Sequence, residues 1–250
     1  SIYKTILAEY FTDGNYSLDP VWTCVGGACP NLSIESGQLK VGSAGTITKS
    51  TVTTPITTGT SDYNILKYKK DTFYIKTNGS TSGANKHMDY WILADSINPS
   101  NGAYIRFTTE DSLKAEIFKR VNSIDTLLGT DNSLIDTDPE ATVVRVECSS
   151  VSFMVDGTNI TATDSTCGLS ITASYAEPLI SDYAVIAFYP RTGVSYLDNI
   201  VSQIDAYVST GSFTSQVSSF SLLTQWRTFD VDQTLNGQSI TYQVKTATTP

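Results

Sequence analysis

The sequence predicts an all-β chain folded as an antiparallel sandwich, and three observations predict it. No long amphipathic helical pattern runs through the 250 residues, whereas 14 Tyr, 9 Phe and abundant Thr, Ser and Val suit half-buried pleated surfaces. Short alternating runs recur at intervals of about ten residues with turn signals between them, the spacing of a sandwich or barrel. The stretch 142–160, TVVRVECSSVSFMVDGTNI, concentrates the signal. Val144, Val146 and Cys148 alternate with Arg145 and Glu147, and Val151, Phe153 and Val155 form a second run of the same period. A two-residue turn at Ser149-Ser150 would set the two apolar faces together. Asp156-Gly157, the strongest short hairpin signal, would then lead into a third strand through Ile160.

The remaining elements follow in order. Residues 5–11 (TILAEYF) read as a first strand closed by the turn cluster Thr12-Asp13-Gly14-Asn15. Residues 19–30 read as a loop with Trp22 packed beneath it, and 33–41 as a tight hairpin broken at Ser36-Gly37. A Thr-rich extended segment spans 46–58, and 64–77 places Ile65, Phe73 and Ile75 at strand spacing. Strands are expected at 89–94, 103–108, 113–119 and 121–128, and after the central stretch at 169–173, 182–189 and 195–207. Near Thr210-Gly211 the pattern restarts, with three short runs and an Asn236-Gly237 turn. The expected organisation is therefore one sandwich domain over 1–207 and, over 208–250, part of a second β-module or appended strands, the former preferred because so short a segment cannot build its own sandwich.

Composition narrows the function. A net charge of -9 and a pI near 4.5 repel phosphate backbones, and the only cationic cluster is Lys67, Lys69 and Lys70, so nucleic acid is not an expected partner. No apolar run of about eighteen residues is present, so membrane insertion is not expected either. The four cysteines divide into Cys24 with Cys29 and Cys148 with Cys167, which reads as two disulfides and an oxidising compartment. A zinc site would lack ligands, since His87 is the sole histidine. A start at Ser1 without Met is what a cleaved export signal or a trimmed chain would show. Asn15, Asn31, Asn78 and Asn159 fit the N-glycosylation pattern and would mark exposed positions in a eukaryotic chain.

The segments FTDGNYSLDPVW, NLSIESGQLKV, RVECSSVSFMVDGTNI and GVSYLDNIVS, in that order, resemble the concanavalin-A-like lectin and laminin-G-like jelly-roll domains over residues 2–207. The tail, SFTSQVSSF through WRTFDVDQTLNGQSITYQVKT, is similar to β-modules of bacterial and phage surface proteins. The first resemblance implies an antiparallel jelly-roll β-sandwich, often sugar-binding and often carrying a structural Ca²⁺. The same fold also serves enzymes and spacers, so the site must decide.

Catalytic signatures are missing from the pattern. Sugar cleavage needs two carboxylates across a groove, and no strand carries alternating acids of that kind. Thr109-Glu110-Asp111 falls at a turn, Glu116 sits between lysines 114 and 119, Asp230 and Asp232 belong to the tail, and His87 reads as a surface histidine. For metal, the resemblance brings the chain ends together, so Glu9, Asp13 and Asp198 are the expected Ca²⁺ ligands, hard oxygens suiting that ion. For a glycan, Trp91 (or Tyr90), Tyr104 and Arg106 lie on neighbouring expected strands and could form an aromatic patch with a planar polar partner. The expected function is a secreted or cell-surface, non-catalytic binding or adhesion module with a glycan ligand. The alternative is a structural subunit of a surface filament, phage fibre or appendage assembled through strand edges. A glycan-cleaving enzyme is the third reading.

Overall fold

Among the described residues the alternating runs fold as strands. In the computed structural model the described residues are 3–17, 20–26, 32–41, 50–56, 65–78, 87–108, 113–137, 145–177, 182–189 and 194–207. They form β1 (Tyr3–Glu9), β2 (Thr23–Gly26), β3 (Leu32–Glu35), β4 (Gln38–Val41), β5 (Ser50–Pro55), β6 (Ile65–Asn78), β7 (His87–Ala94), β8 (Gly102–Thr108), β9 (Lys114–Val121), β10 (Ile124–Asp131), β11 (Arg145–Val155), β12 (Asn159–Asp164), β13 (Leu169–Ser174), β14 (Tyr183–Tyr189) and β15 (Ser195–Tyr207). The chain divides into two units, Ser1–Ser209 and Thr210–Pro250. The expected tail strands over 208–250 lie outside the described residues, as do Asn31, Glu110, Asp111, Asp230 and Asp232.

The strands make two antiparallel sheets. The first runs β13-β12-β11-β6-β15-β4-β3 with β1 added against β15, and the second runs β10-β9-β8-β7-β14-β5-β2. The inward side chains are those that period two selects: Phe73, Ile75, Val146, Val151, Phe153, Val155 and Leu197 from the first sheet, and Met88, Tyr90, Ile105, Phe107, Ile117 and Ile186 from the second. All are buried, and each full burial of such a side chain contributes about 1.5–3 kcal/mol. Tyr90 stacks on Phe73 across the layers at a centroid distance of 4.0 Å.

Two expectations need correction. Ser149-Ser150 is not a turn, because β11 runs unbroken through it. Cys148 faces Ile75 and Val151 faces Phe73, so the two serines together oppose the single residue Tyr74 in a β-bulge. The extra residue restores the phase that the three-residue step from Cys148 to Val151 would otherwise lose. Both new amides are satisfied, Ser149 N–H by Thr166 Oγ1 at 3.0 Å and Ser150 N–H by Asp164 Oδ2 at 2.6 Å. The second correction moves a turn: β9 continues to Val121 and reverses at Asn122-Ser123, whose φ values of 49° and 65° match the mirror-image hairpin turn that a two-residue loop requires.

The first hairpin turn falls where expected. Ser36-Gly37 closes β3 onto β4 with φ of 54° and 77°. The β11–β12 turn lies one residue later than the expected Asp156-Gly157: Val155 pairs with Ile160 and the Asp156 amide donates to the Asn159 carbonyl, so the loop is Gly157-Thr158, where Gly157 alone has a positive φ, 85°, and Asp156 Oδ1 accepts from the Thr158 and Asn159 amides. Cys148 and Cys167 form a disulfide with a Cα–Cα distance of 5.0 Å, beside the bulge. Cys24 is also disulfide-bonded, and its expected partner Cys29 lies outside the described residues.

Candidate functional site

The second sheet has an outer face, and the expected ligand residues lie on it. Since Tyr90 points inward, Trp91 points away from the core. A bulge between Trp91 and Leu93 sets the end of β7 close to β8, and a Cβ at Gly102 would stand 2.0 Å from the Leu93 carbonyl oxygen. The cross-strand register then aligns one row of side chains, Val185 with Trp91, Trp91 with Tyr104, Tyr104 with Phe118 and Phe118 with Leu127. Trp91 and Tyr104 approach to 4.4 Å between centroids and Tyr104 and Phe118 to 5.2 Å.

Two arginines roof this row. The Arg106 guanidinium carbon lies 5.5 Å from the Tyr104 ring and 5.1 Å from Phe118, and that of Arg120 lies 5.0 Å from Trp91 and 5.7 Å from Tyr104, distances at which a cation is drawn to a ring face. A carboxylate holds each arginine in two-point contact: Asp89 accepts from Arg106 at 2.7 and 2.9 Å, and Asp125 accepts from Arg120 at 2.6 and 2.7 Å. Arg120 also donates to the Pro99 carbonyl, which ties the β7–β8 loop to this face. Burial opposes ionisation of Asp125, but the hydrogen bonds and charge of Arg120 outweigh it and hold the carboxyl below its ordinary range. Burial raises the Tyr104 phenol well above its ordinary value, with the Asp89 charge adding to the effect.

Trp91, Tyr104 and Arg106 thus meet as expected but not as an open platform. Trp91 is 2% exposed and Tyr104 is fully buried, so their ring faces are already in contact with protein. The polar rim is what remains accessible: Arg106, Arg120 and Asp125 keep 23%, 19% and 34% of their side-chain surface. Sequence reasoning missed Phe118, Arg120, Asp89 and Asp125, although period two on β9 relative to the expected strand at 103–108 carried the signal for the first two.

The expected metal ligands are likewise engaged elsewhere. Glu9 Oε1 accepts the Phe11 amide at 2.6 Å and Oε2 accepts the Trp22 indole N–H at 3.2 Å. Burial raises its pKa, and those two donors pull back against the rise. The carboxylate holds Phe11 in a left-handed conformation, φ 50°, that a bulky residue rarely adopts, so Glu9 clasps the end of β1. Asp13 is exposed and accepts the Asn15 amide at 2.9 Å. Asp198 accepts the Asn199 amide at 2.7 Å, and burial raises its pKa. The Asp13 charge reaches Glu9, but Glu9, Asp13 and Asp198 do not bring three ligand atoms within 4.8 Å of one another. Among the described residues the one group of three potential ligands within 4.8 Å of one another is Cys148, Asp164 and Cys167, and both sulfurs are spent in the disulfide. The donor set does not fit Ca²⁺.

A third polar cluster was not anticipated. Lys69 and Asp71, adjacent inward positions of β6, are buried between the sheets, with Lys69 Nζ 2.6 and 2.7 Å from the two Asp71 oxygens. Tyr90 donates to the same carboxylate at 3.1 Å and the Ser202 hydroxyl donates to it as well. Desolvation lowers the Lys69 pKa. Lys69 belongs to the cationic cluster with Lys67 and Lys70, and Phe73 and Ile75, stepped back by two, lead straight to 71 and 69 as inward positions. His87 is another correction, being the first residue of β7 and largely enclosed, 3.9 Å from Asp89. Glu116 keeps its lysine neighbour, with Lys114 Nζ at 3.1 Å.

Two facing antiparallel sheets in this arrangement define a concanavalin-A-like, lectin-type jelly roll. Solved structures share it: the carbohydrate recognition domain of Emp46p in metal-free form aligns with a TM-score of 0.52 at 10% identity over 82% of this chain and 97% of that one. The binding domain of botulinum neurotoxin DC in complex with rat synaptotagmin II aligns with a TM-score of 0.51 at 12% identity over 80% of this chain and 48% of that one. A further receptor binding domain aligns at 0.50 with 13% identity. The chain spans about half the length of the neurotoxin domains, 48%, and at such identities the likeness is one of fold. These neighbours are binding or carbohydrate recognition domains rather than enzymes. No protein-family model matches the chain, and no curated protein matches it in sequence. No helix among the described residues is long and apolar enough to cross a membrane.

Proposed function

We propose that this chain is a non-catalytic binding module of the secreted or cell-surface type, with carbohydrate as its ligand class. The observation that supports it most is the lectin-type sandwich combined with a half-open polar rim on the second sheet. There the Arg106 guanidinium lies over Phe118 and the Arg120–Asp125 pair lies over Trp91 and Tyr104, each arginine held by a two-point ion pair. Sugars are recognised by such sets of planar donors and acceptors next to apolar ring surface, and groups already fixed in place lose little freedom on binding. The Cys148–Cys167 disulfide supports an oxidising compartment. The test is a glycan array followed by calorimetry on the hits. Wild-type protein binds at least one glycan class, and Arg106→Ala weakens that binding by roughly tenfold or more, the scale of one charged hydrogen-bonding group. Failure of the folded wild-type chain to bind any glycan would sink the proposal.

A further inference from the structure

The row Trp91–Tyr104–Phe118 ends on Leu127, at the rim of the second sheet, and that rim has an unusual surface. β10 pairs with β9 on one side, and among the described residues nothing pairs with the other side of its first half. Residues 124–127 are all exposed, including Ile124 at 69% and Leu127 at 50%. Natural sheets guard such edges with lysine, proline or charges aimed outward. The first half of β10, IDTL, has no lysine and no proline and its Asp125 charge is matched by Arg120, whereas the bulge between Leu127 and Gly129 and the neighbouring β13 guard only the second half.

Main-chain geometry specifies what can pair here. Val121 and Ile124 flank a two-residue turn, so they exchange hydrogen bonds with each other, as do Lys119 and Thr126 two steps on. The amides and carbonyls of Asp125 and Leu127 therefore face away from β9. We propose that this edge pairs with the same edge of a second copy of the chain, about a two-fold axis through Thr126. In that register Asp125 of each copy exchanges main-chain bonds with Leu127 of the other, and Ile124 faces Leu128. The neighbouring registers are disfavoured: centring on Asp125 opposes two aspartates, and centring on Leu127 sets Asp125 against Gly129, beyond the irregularity, whereas the Thr126 register ends on Leu128. The product is one sheet continuous across two copies, closed by its own symmetry. Because each chain carries -9, salt strengthens the pairing.

The experiment is sedimentation equilibrium on the full chain at roughly 1–100 μM, together with disulfide trapping. Thr126 of the two copies would face each other across a pair without hydrogen bonds, with Cα atoms about 4.5 Å apart, within the reach of a disulfide. Thr126→Cys then cross-links into dimers far faster than Thr158→Cys, an equally exposed turn position. Leu127→Glu, which sets a carboxylate against Asp125 of the other copy, weakens the dimer by roughly tenfold while circular dichroism stays that of the parent. A chain that is monomeric throughout this range, equal trapping at 126 and 158, or growth into open fibres would each overturn the proposal. None of these outcomes depends on whether a glycan binds.

Discussion

The sandwich holds two arrays of charged side chains, one between its layers and one on the outer face of its second sheet, and they differ in what surrounds them. Between the layers, Lys69, Asp71, Tyr90 and Ser202 form a closed set with no access to water. On the outer face, Arg106 with Asp89 and Arg120 with Asp125 lie over aromatic rings, and the latter pair is open at one end. Both arrays satisfy their carboxylates with two or more donors. The interior set is nonetheless the more fragile, because removing one partner strands a charge in a dry medium, whereas water replaces a lost partner at the rim. A buried ion pair thus selects one arrangement of strands more than it adds stability, while an outer pair positions side chains at little expense.

Three single substitutions and one double variant grade this contrast. Asp71→Ala leaves the Lys69 ammonium unpaired and is expected to lower unfolding free energy by about 3–5 kcal/mol in denaturant titration. The double change Lys69→Met with Asp71→Leu should return most or all of that loss, and a double variant as unstable as the single one would show that the set contributes net stability. Asp89→Ala, whose arginine partner can reach water, is expected to lower stability by about 1.5–3 kcal/mol. Asp125→Asn should change stability by less than about 1 kcal/mol at neutral pH, since the pair is part-exposed. Its clearer signature is in acid. A carboxyl with a depressed folded pKa contributes stability that is present above its ordinary value near 4 and is lost as pH falls through the folded value. Thermal melts of Asp125→Asn should therefore decline less steeply below about pH 4 than those of the parent. Glu9 and Asp198, whose pKa values are raised by burial, act in the opposite sense just above that range.

Local pattern made much of the fold legible. Val146, Phe153 and Ile105 lie inside because alternation places them there, and Ser36-Gly37 turns because both residues accept positive φ. The disulfide between Cys148 and Cys167 was legible from parity and spacing. The bulge was not, since a Ser-Ser step between two apolar runs reads equally as a turn, and only β6, about seventy residues earlier in register, arbitrates. The outer-face site was half legible. Alternation groups Trp91 with Tyr104, but it cannot show that Arg106 and Arg120 close over their rings, because that depends on Asp89, Asp125 and Pro99 from separate elements. Glu9 was misread for a similar reason. Its true partners, Phe11 and Trp22, belong to a strained backbone and a loop that no periodicity describes.

The paired serines of β11 have an evolutionary corollary. Since two residues there stand opposite one, the chain can drop either serine and every later side chain of the strand still faces the side it faces now. The same deletion anywhere else along β11 would rotate Val151, Phe153 and Val155, or Val146 and Cys148, out into solvent. Length variation among related chains in this strand should therefore gather at position 149 or 150, where a missing codon leaves the interior untouched.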